Sequence, residues 1–440
     1  MIAKRDALAR TPERDLALSC LEAGLEASDP VHILNEAMSR SGPVLDVGDE
    51  TIDLDAYDTV FVVGGGKAAG RQAVALEAIL GEYLDGGIVI TTESVETNRI
   101  EVLAGDHPVP SERGVTATRA LLDRVEQADD TTLLIVPITG GGSALMTAPA
   151  EGIALEDLQS VTRALLRSGA TIHEINAVRK HLSAIKGGGL SRAAAPARVV
   201  SLIMSDVVGD DLSVIASGPT VADESTYADA RAILERYAIE PPAAVRDRLA
   251  AACEGNIPET PGPDDAVFDG VSNHLIADSG TAVRAAAAAA RERGVEQLIL
   301  STRIRGEARE SAKTHVAIAE EVLASGEPVR PPAVLVSGGE TTVTVRGEGT
   351  GGPNLEFALS AALECEAGIT VGAIDTDGID GLSEVAGAVV DPATVDDPGR
   401  AQSALSNNDA GTYLDERADT IRTGPTGTNL NDLRVVVVSR

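Results

Sequence analysis

The run FVVGGGKAAG (residues 61–70) places Lys67 directly after Gly64, Gly65 and Gly66, where an apolar segment ends. A lysine at the mouth of a glycine-rich strand-to-helix turn suits an anion, because backbone N–H groups and a helix N-terminus attract negative charge. It is not a Walker loop, which needs four residues between its glycines and a Ser or Thr after the Lys; here Ala68 follows. Nor does it read GxGxxG with a ribose-binding acid downstream. Three more glycine turns occur: PITGGGSALM (137–146), with Gly141, Gly142 and Ser143; INAVRKHLSAIKGGGL (175–190), with Arg179 and Lys186; and VSGGETTVTVRGEGTGGPNLEFAL (336–359), with Asn354 and Glu356. One such turn needs only the positive φ that glycine allows. Four in one chain, each at a strand's carboxyl end, predict an anion site of polyphosphate size.

Carboxylates sit in matching places. SDVVGDDLSVIASGPTVAD (205–223) puts Asp206 at the end of an apolar run, with Asp210 and Asp211 in the turn behind it. AIDTDGIDG (373–381) puts Asp375, Asp377 and Asp380 after another. The 12-residue loop and closing Glu of an EF-hand are missing, which argues against calcium. Magnesium carried by phosphate fits better, since it asks for one or two protein carboxylates, and Asp210 and Asp377 are its candidate ligands. His107 precedes a proline and reads as a turn residue, while His173 and His181 lie eight apart and share a helix face only loosely. HxxxH, CxxC and GxSxG are all absent, which weighs against zinc and triad hydrolase chemistry.

Positioning these groups requires strands that alternate with helices. Candidate strands are 59–63, 87–91, 132–136, 198–204, 297–301, 333–337, 341–346, 370–374 and 434–438, with helices such as 111–128, 155–168, 280–294 and 306–325 between them. That order predicts βαβ units and a largely parallel sheet. The stretch 255–270 mixes Pro, Gly and acids without periodicity and reads as a linker. It divides the chain into residues 1–262 and 268–440.

At 440 residues the chain has ample core for two or three domains. No apolar run reaches the roughly 18 residues that span a bilayer, and the N-terminus has no signal-peptide core, so a cytoplasmic protein is expected. Cys20, Cys253 and Cys365 fit neither a disulfide nor a metal pattern. The net charge of −32 excludes a basic nucleic-acid footprint. Among 36 basic residues the lysines are only Lys4, Lys67, Lys180, Lys186 and Lys313. An acidic surface with Arg replacing Lys suits a cytoplasm at molar salt, where charge repulsion is screened within a few Å.

The blocks GGGKAAG, GDHPVP, ITGGGSALM, INAVRKHLSAIKGGGL, SDVVGDDLSVIASGPT, SGGETTV followed by GTGGPNLEFAL, DTDGIDG, AGAVVD and LSNNDAGTYL occur in this order. In them the chain resembles the type II glycerate 2-kinases that carry a MOFRL domain, from about residue 5 to the C-terminus. The resemblance implies a Rossmann-like N-terminal α/β domain, a MOFRL-type C-terminal α/β domain and a cleft between them. It implies ATP- and Mg²⁺-dependent phosphorylation of D-glycerate to 2-phosphoglycerate, with Lys67 as the cleft lysine and Asp206 as the essential acid. Where relatives read GGRNQE, this chain has Gly351, Gly352, Pro353, Asn354, Leu355 and Glu356, so the family arginine is missing. Arg346 lies a few residues upstream.

On this reading Lys67 neutralises the moving phosphoryl group while glycine-turn N–H groups hold its oxygens. Asp206 orients and deprotonates the glycerate hydroxyl. Gly140, Gly141, Gly142 and Ser143 grip substrate or phosphate, Arg179 and Lys186 pair the glycerate carboxylate, and Asn354 and Glu356 complete the site. A homodimer is a further expectation. The alternatives are an oxidoreductase acting on hydroxypyruvate, and a small-anion sensor that kept the cleft but lost turnover.

Overall fold

The structure is a computed structural model and describes residues 1–439. Fifteen strands run in chain order: β1 Met38–Ser41, β2 Val44–Val47, β3 Glu50–Asp53, β4 Thr59–Gly65, β5 Gly86–Thr91, β6 Ile100–Ala104, β7 Thr132–Ile138, β8 Arg198–Met204, β9 Val271–Ala277, β10 Glu296–Glu307, β11 Ala333–Thr342, β12 Ile369–Asp375, β13 Gly387–Val390, β14 Thr420–Ile421 and β15 Asp432–Val438. They fold into two compact units. One is Ile33–Ile276; the other joins Met1–His32 to the chain from Ala277 onward.

This division departs from the expected 1–262 and 268–440. The N-terminal helix Pro12–Ala27 belongs with the C-terminal half, because its apolar face (Ala17, Leu18, Leu21, Leu25) shares one core with the helix Ser279–Glu292 and with Val435 and Val437. Arg14, 1 % exposed, anchors it there through Asp391 (2.5 Å) and Asp419 (2.7 Å). A buried ion pair costs desolvation, so its value here lies in fixing one docking geometry and in the expense of removing either partner. Nor is 255–270 a free linker. Thr260 donates to Asp223, Pro261 accepts from the Asp223 N–H, and the chain then supplies β9 to the first sheet.

In the unit Ile33–Ile276 the sheet order is β6-β5-β4-β7-β8-β9, with β6/β5, β5/β4, β4/β7 and β7/β8 all parallel. Its central strands are apolar on both faces, as a sheet covered by helices on both sides requires: all seven residues of β7 are buried. The chain runs outward from β4 to β6, then returns to place β7 beside β4. Strand order therefore reverses between β4 and β7, and doubly wound folds bind ligands at the carboxyl ends of that pair. A small antiparallel sheet, β1-β2-β3, precedes it.

The second sheet, β10-β11-β15-β12-β13-β14, is mixed: only β10/β11 is parallel. Alternation along β15 sorts its two faces. Val436 and Val438 pack with the helices Ala308–Ser325 and Pro353–Glu364, Val435 and Val437 with Pro12–Ala27 and Ser279–Glu292. The expected strand 341–346 is not separate. Pairing stops at Thr342, and the N–H groups of Arg346 and Gly347 turn to the Asn408 side chain. No helix among the described residues is long and apolar enough to cross a membrane.

Candidate active site

Lys67 follows β4, the Gly140–Ser143 turn follows β7, and Asp206 follows β8, so the reversal of strand order brings all three to one edge of the parallel sheet. The first glycine turn does not cradle an anion as expected. The N–H groups of Gly66, Lys67 and Ala68 are already spent on Ile90 O (3.0 Å), Gly140 O (2.8 Å) and Thr139 Oγ1 (3.1 Å). Gly64, Gly65 and Gly66 serve close packing instead: a side chain at Gly64 would collide with the Pro137 carbonyl and one at Gly66 with Thr139. This turn supplies the lysine and little else.

The free donors sit on the second turn. The N–H groups of Gly140, Gly141 and Ser143 have no acceptor among the described residues, while that of Gly142 bonds Thr139 O at 3.2 Å. Lys67 lies alongside: a Cβ on Gly141 would stand 3.0 Å from Lys67 Cγ and 3.1 Å from His107 Cδ2. A Cβ on Gly140 would overlap the Asp206 carboxylate. Three unpaired N–H groups, an ammonium and a carboxylate therefore share one turn. His107, read from sequence as a turn residue, belongs to this group.

Asp206 is half-buried, and the surrounding protein mass pushes its carboxyl pKa above the usual range, while the Lys67 charge pulls it back. A carboxylate so placed is more basic than a surface aspartate, which suits a general base.

Ser143 leads to a second cluster. Its Oγ lies 2.8 Å from Ser217 Oγ, which donates to Asn176 Oδ1 at 3.0 Å. Ser217 is fully buried and adopts φ 62°, directly after Ala216 at φ 49°. Two successive non-glycine residues in the left-handed region cost about 1–3 kcal/mol each and persist where surroundings over-determine them. Asn176 and Arg179 stand one turn apart on the helix Ile172–His181. No carboxylate or hydrogen-bond acceptor engages the Arg179 guanidinium among the described residues, and burial lowers its pKa. Lys186, 3 % exposed, donates to Met146 O at 3.0 Å; burial, then the Arg179 charge, brings its pKa down to about 7. Two electrostatically coupled basic side chains without a carboxylate partner among the described residues are conspicuous in a chain of net charge −32. Asn176 and Ser217 escaped the sequence reading. Their only signal was membership of the INAVRKH and IASGPT blocks, because their role comes from contacts across the fold.

The remaining candidates are placed differently. Asp210 sits at φ 60° in the turn behind Asp206, and Asp211 approaches His173 at 3.8 Å. Asp377, Asn354 and Glu356 belong to the other unit. Asp377 Oδ1 accepts from the Ile379 N–H. Asn354 is fully buried, its amide donating to Asp380 (3.1 Å) and Asp432 (2.6 Å), while Asp380 also accepts the N–H groups of Asn354 and Leu355. The start of the helix Pro353–Glu364 thus faces a carboxylate of the protein's own. Glu356, also buried, pairs with Arg309 (3.0 Å) and Asn408 (2.5 Å). Both side chains hold their own unit together. Among the described residues no group of three or more His, Cys, Asp or Glu could hold a metal. A magnesium ion carried by nucleotide needs only one or two protein carboxylates.

Two family models match the chain: a domain of unknown function, DUF4147, over residues 16–250, and the MOFRL family over 333–432. A D-glycerate 2-kinase of Thermotoga maritima is 38 % identical over 97 % of this chain and 98 % of its own length. A protein of Agrobacterium vitis to which the name hydroxypyruvate reductase has been provisionally attached is 45 % identical over 86 % of each chain. The crystal structure of a Thermotoga maritima glycerate kinase superimposes with a TM-score of 0.85 at 37 % identity, covering 96 % of this chain and 98 % of that one. On full-length similarity in sequence and in fold, the chain belongs to the DUF4147–MOFRL glycerate 2-kinase family.

Proposed function

We propose that the protein transfers the γ-phosphoryl group of ATP to the C2 hydroxyl of D-glycerate. The observation that carries this reading is the seating of Asp206 and Lys67 on the Gly140–Gly141 turn, whose N–H groups stand open. Phosphoryl transfer needs positioning and charge neutralisation more than covalent help. Lys67 and the N–H groups of Gly140, Gly141 and Ser143 hold the phosphoryl oxygens as negative charge shifts toward the leaving group. Asp206 accepts the hydroxyl proton as the oxygen attacks phosphorus and the bond to the ADP oxygen breaks. Arg179 and Lys186 hold the substrate carboxylate, the charge their cluster lacks. Asp210 would be the protein ligand of a magnesium ion carried by the nucleotide, which would supply further neutralisation of phosphate charge.

The test is ADP release with Mg-ATP and D-glycerate in concentrated potassium chloride, with the product's phosphate position read by phosphorus NMR. A 2-phospho product is expected. Absence of glycerate-dependent ADP, together with NADH oxidation on hydroxypyruvate, would replace this reading with the reductase one.

A further inference from the structure

A hydroxyl has one proton, and that fact gives the Ser143–Ser217–Asn176 chain a direction. Asn176 meets Ser217 with its carbonyl oxygen Oδ1, which only accepts. Ser217 must therefore spend its proton on Asn176, leaving only lone pairs for Ser143 across the 2.8 Å contact. Ser143 in turn must donate to Ser217. What it then presents to a ligand is an oxygen with lone pairs and no proton. Such an atom repels carboxylate and phosphoryl oxygens and attracts an O–H. Of the two partners expected for Ser143, substrate or phosphate, its hydroxyl therefore suits a substrate O–H, while its N–H stays open to phosphate.

The neighbouring groups have the opposite polarity. Asn176 keeps its buried Nδ2 without a hydrogen-bond partner, one turn from the unpaired Arg179. Lys186 is tied to the same cluster twice, through Met146 O, three residues after Ser143, and through Gly187, whose N–H donates to Ser217 O at 3.0 Å. Donors gather on the Arg179–Lys186 side, an acceptor at Ser143, and the Asp206 base at Gly140. An acceptor molecule with a carboxylate, a reacting hydroxyl and a second hydroxyl would meet a partner at each.

We propose that Ser143 reads the non-reacting C3 hydroxyl of the substrate as a hydrogen-bond acceptor, and that Ser217 and Asn176 are the positioning residues that keep it in that state. The inference rests on the glycerate kinase reading above. It makes the protein selective for 2,3-dihydroxy acids over 2-hydroxy acids with an apolar third carbon, since a site built to pair an O–H leaves its oxygen unpaired beside a methyl group. The left-handed Ala216–Ser217 pair is then the backbone geometry that aims Ser217 Oγ at both partners.

The experiment compares kcat/KM for D-glycerate and D-lactate, the latter taken as its competitive inhibition constant if turnover is slow. The wild type should favour glycerate. Ser143→Ala should lower the glycerate-to-lactate ratio roughly tenfold, the worth of one hydrogen bond of ordinary strength. Ser217→Ala, which frees the Ser143 proton, should lower it in the same direction. Asn176→Asp still offers Ser217 an acceptor and has no donor, so the ratio should survive even if both substrates bind differently beside Arg179. Collapse of the ratio in Asn176→Asp would mean that the chain runs the other way, and would overturn the proposal. So would an unchanged ratio in Ser143→Ala with folding intact by thermal melt. Absence of any glycerate-dependent ADP in the wild type would instead sink the functional reading.

Discussion

Asp206 rests its carboxylate against the bare α-carbon of Gly140, where any side chain would take the space of the carboxyl group. Gly140 does not have the positive φ of its neighbour Gly141 (79°), so an L-residue there meets crowding rather than backbone strain. Gly140→Ala should therefore displace Asp206 and leave the turn formed. A shift of about 1 Å in a catalytic group can cost roughly 100-fold, and kcat is expected to fall by about that much with a near-native melting temperature. Steady-state kinetics alongside a thermal melt check both halves. A fully active Gly140→Ala enzyme would detach Asp206 from the chemistry.

Lys67 and Asp206 have separable tasks. Lys67→Ala removes charge stabilisation of the phosphoryl group, worth about 3 kcal/mol or more, and should lower kcat by two or more orders of magnitude while weakening Mg-ATP binding. Asp206→Asn should abolish transfer to glycerate and leave Mg-ATP binding largely intact. Calorimetric titration of Mg-ATP into each variant separates the roles. Loss of metal-dependent nucleotide binding in Asp206→Asn would make Asp206 a magnesium ligand and move the base to Asp210 or Asp211.

Lys67, Asp206 and Ser143 were legible in sequence because each follows an apolar run, and a parallel sheet gathers such ends. The N–H bookkeeping was not. Whether Gly66 or Gly141 presents a free donor depends on Ile90 and Thr139, which lie elsewhere in the chain. Asn354 and Glu356 carry polar types at glycine-rich spacing, yet Asp380, Asp432, Arg309 and Asn408 claim them from other elements. The docking of Pro12–Ala27 onto the C-terminal unit was equally hidden, since helix periodicity marks an apolar face but not the partner that covers it. Short antiparallel strands such as β1–β3 lack the strand–helix alternation that made the parallel sheet readable.

The charge of −32 leads to a prediction about salt. At low ionic strength the screening length grows to about 30 Å, and acidic surfaces repel across the molecule. Activity and thermal stability are expected to decline together below roughly half-molar salt, where screening lengths grow. Dialysis into dilute buffer, followed by melting curves and assays at graded potassium chloride, tests this. Full activity in dilute buffer would show that the acidic surface has no halophilic role.

Lys186 sets the last expectation, the alkaline side of the pH profile. In the substrate-free protein its pKa is held near 7, below the ordinary 10.5, because burial and the Arg179 charge disfavour the ammonium. A bound carboxylate favours the ammonium and raises that pKa, so above pH 7 each binding event must take up a proton. The value of kcat/KM for glycerate should then be near its full value about one unit below pH 7, about half of it near pH 7, and fall above that by about tenfold per unit on the limb. Asp206 acts in the opposite sense: its pKa is raised from 3.8, so protonation silences it on the acid side. Lys186→Arg keeps a charge throughout the range and should erase the alkaline limb while the acid limb stays. Calorimetry of glycerate binding at pH 8 in two buffers of different ionisation enthalpy should show net proton uptake in the wild type and none in Lys186→Arg. An alkaline limb unchanged by the substitution would place its origin elsewhere and remove Lys186 from carboxylate binding.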